Sequence, residues 1–202
     1  MSKAVMISIR PKWCEKIVNG EKTIEVRKTR PKLQTPFKCY IYCTLPKYPH
    51  EDFIATDYPK PQFYGGGKVI AEFTCSKIEL VVRGTFGKYA GRLFVKVPDP
   101  DGGIRFSGYK EIKAYEKQMC LSESEIVGYL SHSEPRGRGG YLWHISALKI
   151  YDKPKKLGEF QRATDPCNSC HAEYTWECTG CKNLSGDIKR APQSWCYVEE
   201  QR

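Results

Sequence analysis

The sequence predicts a mainly β, α+β protein: a small β-barrel with flanking helices, followed by a small C-terminal metal-binding segment. Three observations lead there. Residues 5–10, 37–44, 68–75 and 141–151 alternate apolar and polar side chains with the period of two of a half-buried strand. The order is strand, helix, several strands, two helices and more strands, with no repeated βα unit and no glycine-rich phosphate loop after the first strand. That order argues against a Rossmann or P-loop fold and for a small barrel or α+β domain. Third, five of the ten cysteines lie beyond residue 166. The expected division is a barrel domain over 1–158 and a cysteine-rich segment with a final strand over 159–202.

The elements follow in turn. Val5, Ile7 and Ile9 share one face of the first strand, with Ser8 and Arg10 on the other. Pro11 suits the first position of a helix whose apolar stripe is Trp13, Cys14, Ile17 and Val18, ended by Asn19-Gly20. A second strand covers 24–28. In 37–44, Phe37, Cys39, Ile41 and Cys43 are expected inward, and Lys38, Tyr40, Tyr42 and Thr44 outward. Residues 45–67 read as an irregular insertion and 68–75 as a strand that continues toward 82. Residues 83–107 show no sustained period and read as a second insertion. Helical spacing returns over 109–120, and Ser122 with Glu125 forms a capping box with a Leu121–Ile126 staple. A glycine-rich basic loop at 136–140, either a permissive turn or a phosphate contact, precedes the long strand 141–151.

Composition narrows the function. Lys and Arg number 33 against 23 Asp and Glu, a net charge of +10, which favours a polyanionic partner such as nucleic acid. Thirteen Tyr and four Trp supply stacking surfaces. No run approaches the roughly 18–20 apolar residues of a membrane span, and no signal-peptide pattern precedes the first strand. The expectation is therefore a cytoplasmic protein with no membrane partner, whose cysteines are thiols or metal ligands. Cys14, Cys39, Cys43, Cys75 and Cys120 stand among apolar neighbours as buried small hydrophobes do.

Two stretches carry candidate chemistry. In 20–28 a glycine-marked turn leads into a strand with Lys22, Glu25, Arg27 and Lys28, and alternation separates Ile24 and Val26 from Glu25 and Arg27. Such a set is either a solvated ion pair or a ligand site. In the tail, Cys167-x-x-Cys170 and Cys178-x-x-Cys181 are two knuckle-forming pairs able to hold one structural Zn²⁺. His171 and Cys196 are alternative ligands; free thiols, a redox pair or an iron–sulfur cluster are the other readings. Residues 194–199 read as a last short strand returning to the main body.

Ser8-Ile9-Arg10-Pro11, the helix, and then Gly20-x-Lys22-x-x-Glu25-x-Arg27 resemble the ASCH domain, a member of the PUA-like β-barrel superfamily. All four fixed positions of its G-x-K-x-x-E-x-R pattern are matched. Gly67-Lys68-Val69-Ile70-Ala71-Glu72-Phe73 and Gly140-Tyr141-Leu142-Trp143-His144-Ile145-Ser146 extend the resemblance over residues 4 to about 151. It implies a PUA-like barrel with a cleft lined by that motif, binding RNA or a modified nucleobase. Lys22, Glu25 and Arg27 are then the central ligand-binding residues, with Arg10, Tyr40, Tyr42 and His144 as supporting contacts.

Some ASCH-like proteins are enzymes, among them an amidohydrolase that deacetylates N4-acetylcytidine and a ribonuclease-like member. The amidohydrolase's essential Lys falls on Lys22, but its catalytic Thr falls on Glu25. Its catalytic Glu falls on Lys117, beside Glu116. A binding protein is thus the first reading, and a hydrolase or ribonuclease using the same cleft the alternative. Lys22, Glu25 and Glu116 are then the catalytic candidates, and Glu72 is a further candidate acid.

Overall fold

A computed structural model describes residues 2–48, 53–54, 63–85, 87–98, 106–131, 139–163 and 186–201. In chain order the elements are β1 (Lys3–Ile9), α1 (Pro11–Val18), β2 (Ile24–Arg27), β3 (Phe37–Cys43), β4 (Phe53–Ile54), β5 (Phe63–Tyr64) and β6 (Lys68–Arg83). They continue with β7 (Leu93–Pro98), β8 (Phe106–Glu111), α2 (Glu116–Met119), α3 (Glu123–Ser131), β9 (Gly140–Lys156), β10 (Gln161–Arg162), β11 (Gly186–Asp187) and β12 (Trp195–Glu199). Short 3₁₀ turns occupy Gly87–Tyr89, Ile112–Tyr115 and Leu157–Glu159. The protein is mainly β with few helices, as the α+β expectation has it. No helix among the described residues is long and apolar enough to cross a membrane.

The chain forms two compact units. One comprises Met1–Asn19, Phe37–Thr74 and Ala147–Arg202, the other Gly20–Pro36 and Cys75–Ser146, so β6 and β9 contribute to both. In the first unit β1 lies between antiparallel β12 and parallel β3. Covered on both faces, β1 is buried from Ala4 to Ile9 rather than half-buried as its alternation suggested. Met6, Tyr40, Tyr42, Val69, Tyr151, Phe160, Ile188 and Val198 join Ala4 in this unit's core. The predicted returning strand is β12. Helix α1 begins at Pro11 and buries Pro11, Cys14 and Ile17, and Gly20 just beyond it has φ +76°, the left-handed turn that glycine favours.

In the second unit β2 pairs with β9, Ile24 opposite His144 and Arg27 opposite Tyr141. The far end of β6 pairs with β7, Val81 opposite Val95, and β7 pairs with β8. The stretch 83–107, expected as an insertion, therefore contains β7 and the start of β8, which pair as a hairpin. Likewise 109–111 complete β8, where helical spacing was expected, and the helix shrinks to α2 behind a 3₁₀ turn. The core gathers Ile24, Val26, Val81, Leu93, Val95, Ile112, Met119, Ile126, Leu130 and Leu142. The capping box forms as expected: the Ser122 N–H donates to Glu125 Oε2 at 2.9 Å and the Glu125 N–H to Ser122 Oγ at 3.4 Å.

The expected closed barrel is not formed among the described residues. Strand pairing runs β11-β10-β12-β1-β3-β6-β7-β8 and ends at two strands that do not pair, so the sheet is open. Alternation identifies half-buried strands but not whether the first and last meet, and one end here is the two-residue β11. The metal-ligand candidates Cys167, Cys170, Cys178 and Cys181, with His171, lie outside the described residues. Among those described, no cluster of His, Cys, Asp and Glu is placed to hold a metal ion.

Candidate functional site

The motif of 20–28 places three charged side chains in the interior of the second unit. Lys22, Glu25 and Arg27 are 2%, 7% and 6% exposed. β2 is buried along its whole length, so its polar face is inside the protein, not solvated. The strand's lead-in is fixed on two sides: the Thr23 N–H donates to the Gln118 carbonyl and the Ile145 N–H to the Thr23 carbonyl, each at 2.9 Å. Glu25 answers both cations. Its Oε2 lies 3.3 Å from Lys22 Nζ and its Oε1 3.1 Å from Arg27 Nε. Lys22 also donates to the Met119 carbonyl at 2.7 Å. The set thus joins two cations and one carboxylate. Removing such groups from water costs several kcal/mol per ion, roughly, before pairing offsets it. The arrangement is a poor way to stabilise a fold and a common way to build a site.

A second polar set in the same unit centres on Glu79 of β6, which is 5% exposed. His144 Nε2 lies 2.6 Å from its Oε2, and Lys77 Nζ donates to its Oε1 at 2.6 Å. Burial alone raises the carboxyl's pKa, but the hydrogen bonds from His144 and Lys77, with their charge, more than reverse this and hold it at about 2. Glu79 is therefore an ionised carboxylate at neutral pH. Tyr115 is pushed up, first by burial and then by the Glu79 charge and a hydrogen bond to it. The His144 side chain is 23% exposed, so a buried carboxylate orients a histidine that solvent can reach. Cys75 nearby is inert: burial drives its thiol up to about 12.

The structure thus brings Lys22, Glu25 and Arg27 together and places His144 in the same unit. Arg10, Tyr40 and Tyr42 belong to the other unit. Arg10 is exposed. Tyr40 and Tyr42, expected outward, are core residues: the Tyr40 ring packs edge-on against Phe160 at 4.9 Å, and its Oη accepts from the Gln201 N–H at 2.8 Å. Glu116 Oε1 accepts the Glu123 N–H at 2.7 Å, serving the start of α3, and Lys117 is exposed. Glu72, in the first unit, accepts from Tyr151 Oη at 2.7 Å. Arg136 and Arg138 lie outside the described residues, but the two glycines after them have a steric purpose. A Cβ on Gly139 would fall 1.6 Å from the Val81 carbonyl oxygen, and one on Gly140 2.8 Å from that of Arg27.

Sequence reasoning missed Glu79 and Tyr115. The signal for Glu79 was present: it is the lone carboxylate in Ile78-Glu79-Leu80-Val81-Val82, an apolar run already read as strand. A charge there needs a partner inside the protein. Tyr115 carried no comparable signal, since its place in a helical period made it look like core.

No protein-family model matches the chain, and no curated protein matches it. Solved structures do. The crystal structure of ASCH from Zymomonas mobilis is similar at a TM-score of 0.50 and 16% identity, covering 98% of this chain and 88% of that one. A point mutant of the same Zymomonas mobilis protein is similar at 0.47 and 14% identity, with 98% and 92% covered. The first likeness is one of fold: this chain folds as that ASCH protein does.

Proposed function

We propose that this protein binds RNA or a modified nucleobase through an ASCH-type, PUA-like domain in which Lys22, Glu25 and Arg27 form the recognition set. The observation that carries the reading is the buried cluster itself, in which Glu25 is held between Lys22 at 3.3 Å and Arg27 at 3.1 Å. An ammonium and a planar guanidinium are the groups that suit a phosphate or the carbonyl edge of a base. His144, on β9 opposite Ile24, is a partly accessible polar group of the same unit. Arg10, Tyr40 and Tyr42 are given no direct role, since they belong to the other unit. The net charge of +10 favours approach of a polyanion.

The test is binding of RNA and of a panel of modified nucleosides by wild type and by Lys22→Met and Arg27→Lys, with thermal melts to confirm folding. The expected result is weaker binding in folded variants. Unchanged affinity in folded Lys22→Met overturns the reading. A salt series adds to it: phosphate contacts weaken steeply as salt rises, and a salt-independent ligand would be a small neutral molecule.

The Glu79–His144 pair favours a second reading, a hydrolase acting on RNA or on a modified nucleoside. His144 would be its general base and Glu79 the residue that orients it. The amidohydrolase pattern itself is altered at Glu25 and Lys117, so that family reaction does not transfer directly. Screening RNA and N4-acetylcytidine for turnover decides this reading: activity abolished in His144→Ala supports it, and no turnover by wild type removes it. The tail is proposed to bind one structural Zn²⁺ through Cys167, Cys170, Cys178 and Cys181, on their spacing alone.

A further inference from the structure

We infer that the outer face of the β6–β7–β8 sheet, with the turn at Gly87–Tyr89, is a stacking platform for single-stranded nucleic acid, separate from the Lys22–Glu25–Arg27 cluster. Alternation divides β7. Leu93 and Val95 enter the core of the second unit, while Phe94 and Lys96 face the other way. Register sets Phe94 beside Val82 on one side and Glu111 on the other, and Lys96 opposite Tyr109. These residues, with Arg83, Gly84, Thr85 and Tyr89, line a groove of about 740 Å³.

Three aromatic rings run along it. Tyr89 and Phe94 lie 5.6 Å apart and Phe94 and Tyr109 6.4 Å apart, both edge-to-face at 78°. The two outer rings are open to solvent, Tyr89 at 48% and Tyr109 at 62%. Edge-to-face contact holds each ring upright without stacking it flat on its neighbour. Bases stack on such rings whatever their identity, because every base has a π-face.

Charge identifies the occupant. Residues 83–98 contain Arg83, Lys88, Arg92 and Lys96 and no acidic residue. Lys88 Nζ stands 5.2 Å from the centre of the Tyr89 ring and the Arg92 guanidinium 5.9 Å from that of Phe94. A cation stands beside two of the three rings, where it meets the phosphate that follows a stacked base. Among the described residues the one carboxylate lining the groove, Glu111, pairs with Arg92 at 3.0 Å, so the positive surplus of the stretch is that of Arg83, Lys88 and Lys96. An acidic or apolar peptide would leave either the rings or the cations unmatched; a flexible chain of bases and phosphates uses both. A duplex hides its base faces and is excluded from stacking here.

The test uses fluorescein-labelled U12 RNA and dT12 DNA, with binding followed by anisotropy in the full chain. Tyr109→Ala and Tyr89→Ala each remove an exposed ring, so folding is preserved, and each is expected to weaken U12 binding roughly fivefold or more. Tyr109→Phe restores it. Lys96→Gln lowers the slope of log affinity against log salt by about 0.7. Equal binding of dT12 identifies base and phosphate as what is read; preference for U12 adds the 2′-hydroxyl, and both support the platform. Wild-type affinity in the Tyr89→Ala/Tyr109→Ala double variant overturns it, as does equal affinity for a 12-base-pair duplex. Modified-nucleoside binding distinguishes the two sites: Lys22→Met is expected to abolish it, and Tyr109→Ala to leave it unchanged while weakening U12.

Discussion

Removing the Glu25 carboxylate tests whether the buried cluster is held by charge. In Glu25→Gln the side chain keeps its size, but Lys22 and Arg27, 2% and 6% exposed, lose the anion between them. At the observed separations of 3.3 and 3.1 Å, each contact carries about 5 kcal/mol of gross attraction at an effective dielectric of about 20. Desolvation of the carboxylate, which the variant no longer requires, offsets much of this. Breaking a buried pair by removing one partner leaves a net loss of roughly 3–5 kcal/mol. In a chain of this length each kcal/mol moves Tm by about 2–4 °C, so a fall on the order of 6–20 °C is expected. Circular dichroism melts at pH 7 measure it, and because the pair is shielded from solvent, the deficit should persist at high salt. The double variant Glu25→Leu/Lys22→Met should melt higher than Glu25→Leu alone, since it removes a charge left stranded. A fall of less than about 2 °C, or strict additivity in the double variant, would refute the reasoning.

Gly139→Ala should fail to give a folded protein, because its Cβ would lie 1.6 Å from the Val81 carbonyl oxygen, a backbone atom that cannot step aside. Gly128→Ala, in α3 with nothing within 4 Å, should instead stabilise by about 0.5–1 kcal/mol, visible as a higher melting temperature. Glu79 gives the pH dependence: its folded pKa of about 2 is below its ordinary 4.5. Its stabilising contribution is therefore complete above pH 4.5 and is lost as pH falls toward 2. The loss is about 3 kcal/mol, measured by urea unfolding between pH 5 and 2, and Glu79→Gln should flatten that slope. Metal analysis should find one zinc per chain, lost in Cys170→Ser and Cys178→Ser and on chelation. A metal-free purified protein with wild-type stability would remove the zinc assignment.

Much of the second unit's site was legible because it rests on local rules. The glycine at 20 ends a helix, three charged residues follow at fixed spacing, and alternation separates them from Ile24 and Val26. What alternation could not show was that both faces of β2 are covered, which turns an amphipathic strand into a buried charge cluster. Tyr40 and Tyr42 failed for the same reason: β3 lies in the interior of the first unit's sheet, so a period of two no longer separates core from surface. Barrel closure was illegible for a different reason, since it depends on how far the end strands extend. Glu79 was readable in principle, because an isolated carboxylate in an apolar strand must be paired or neutralised.

The hairpin of β7 and β8 was lost through one residue. Leu93, Val95 and Val97 alternate with Phe94, Lys96 and Pro98, and a polar residue in place of Phe94 would have made the period plain. Phe94 erases it because it is apolar on the outer face, where it joins Tyr89 and Tyr109 along the groove. Tyr109 had the complementary effect: with Ile112 and Tyr115 it mimics a helical stripe, although its own ring is 62% exposed on a strand. Local pattern and structure disagree where an outer strand face carries aromatic rings that the core does not need. Such disagreement is expected at functional positions. Edge-to-face contacts stabilise the hairpin by about 0.5–1.5 kcal/mol per pair, but that contribution does not require the outer rings to stand 48% and 62% exposed with Lys88 and Arg92 beside two of the three, as the proposed platform does.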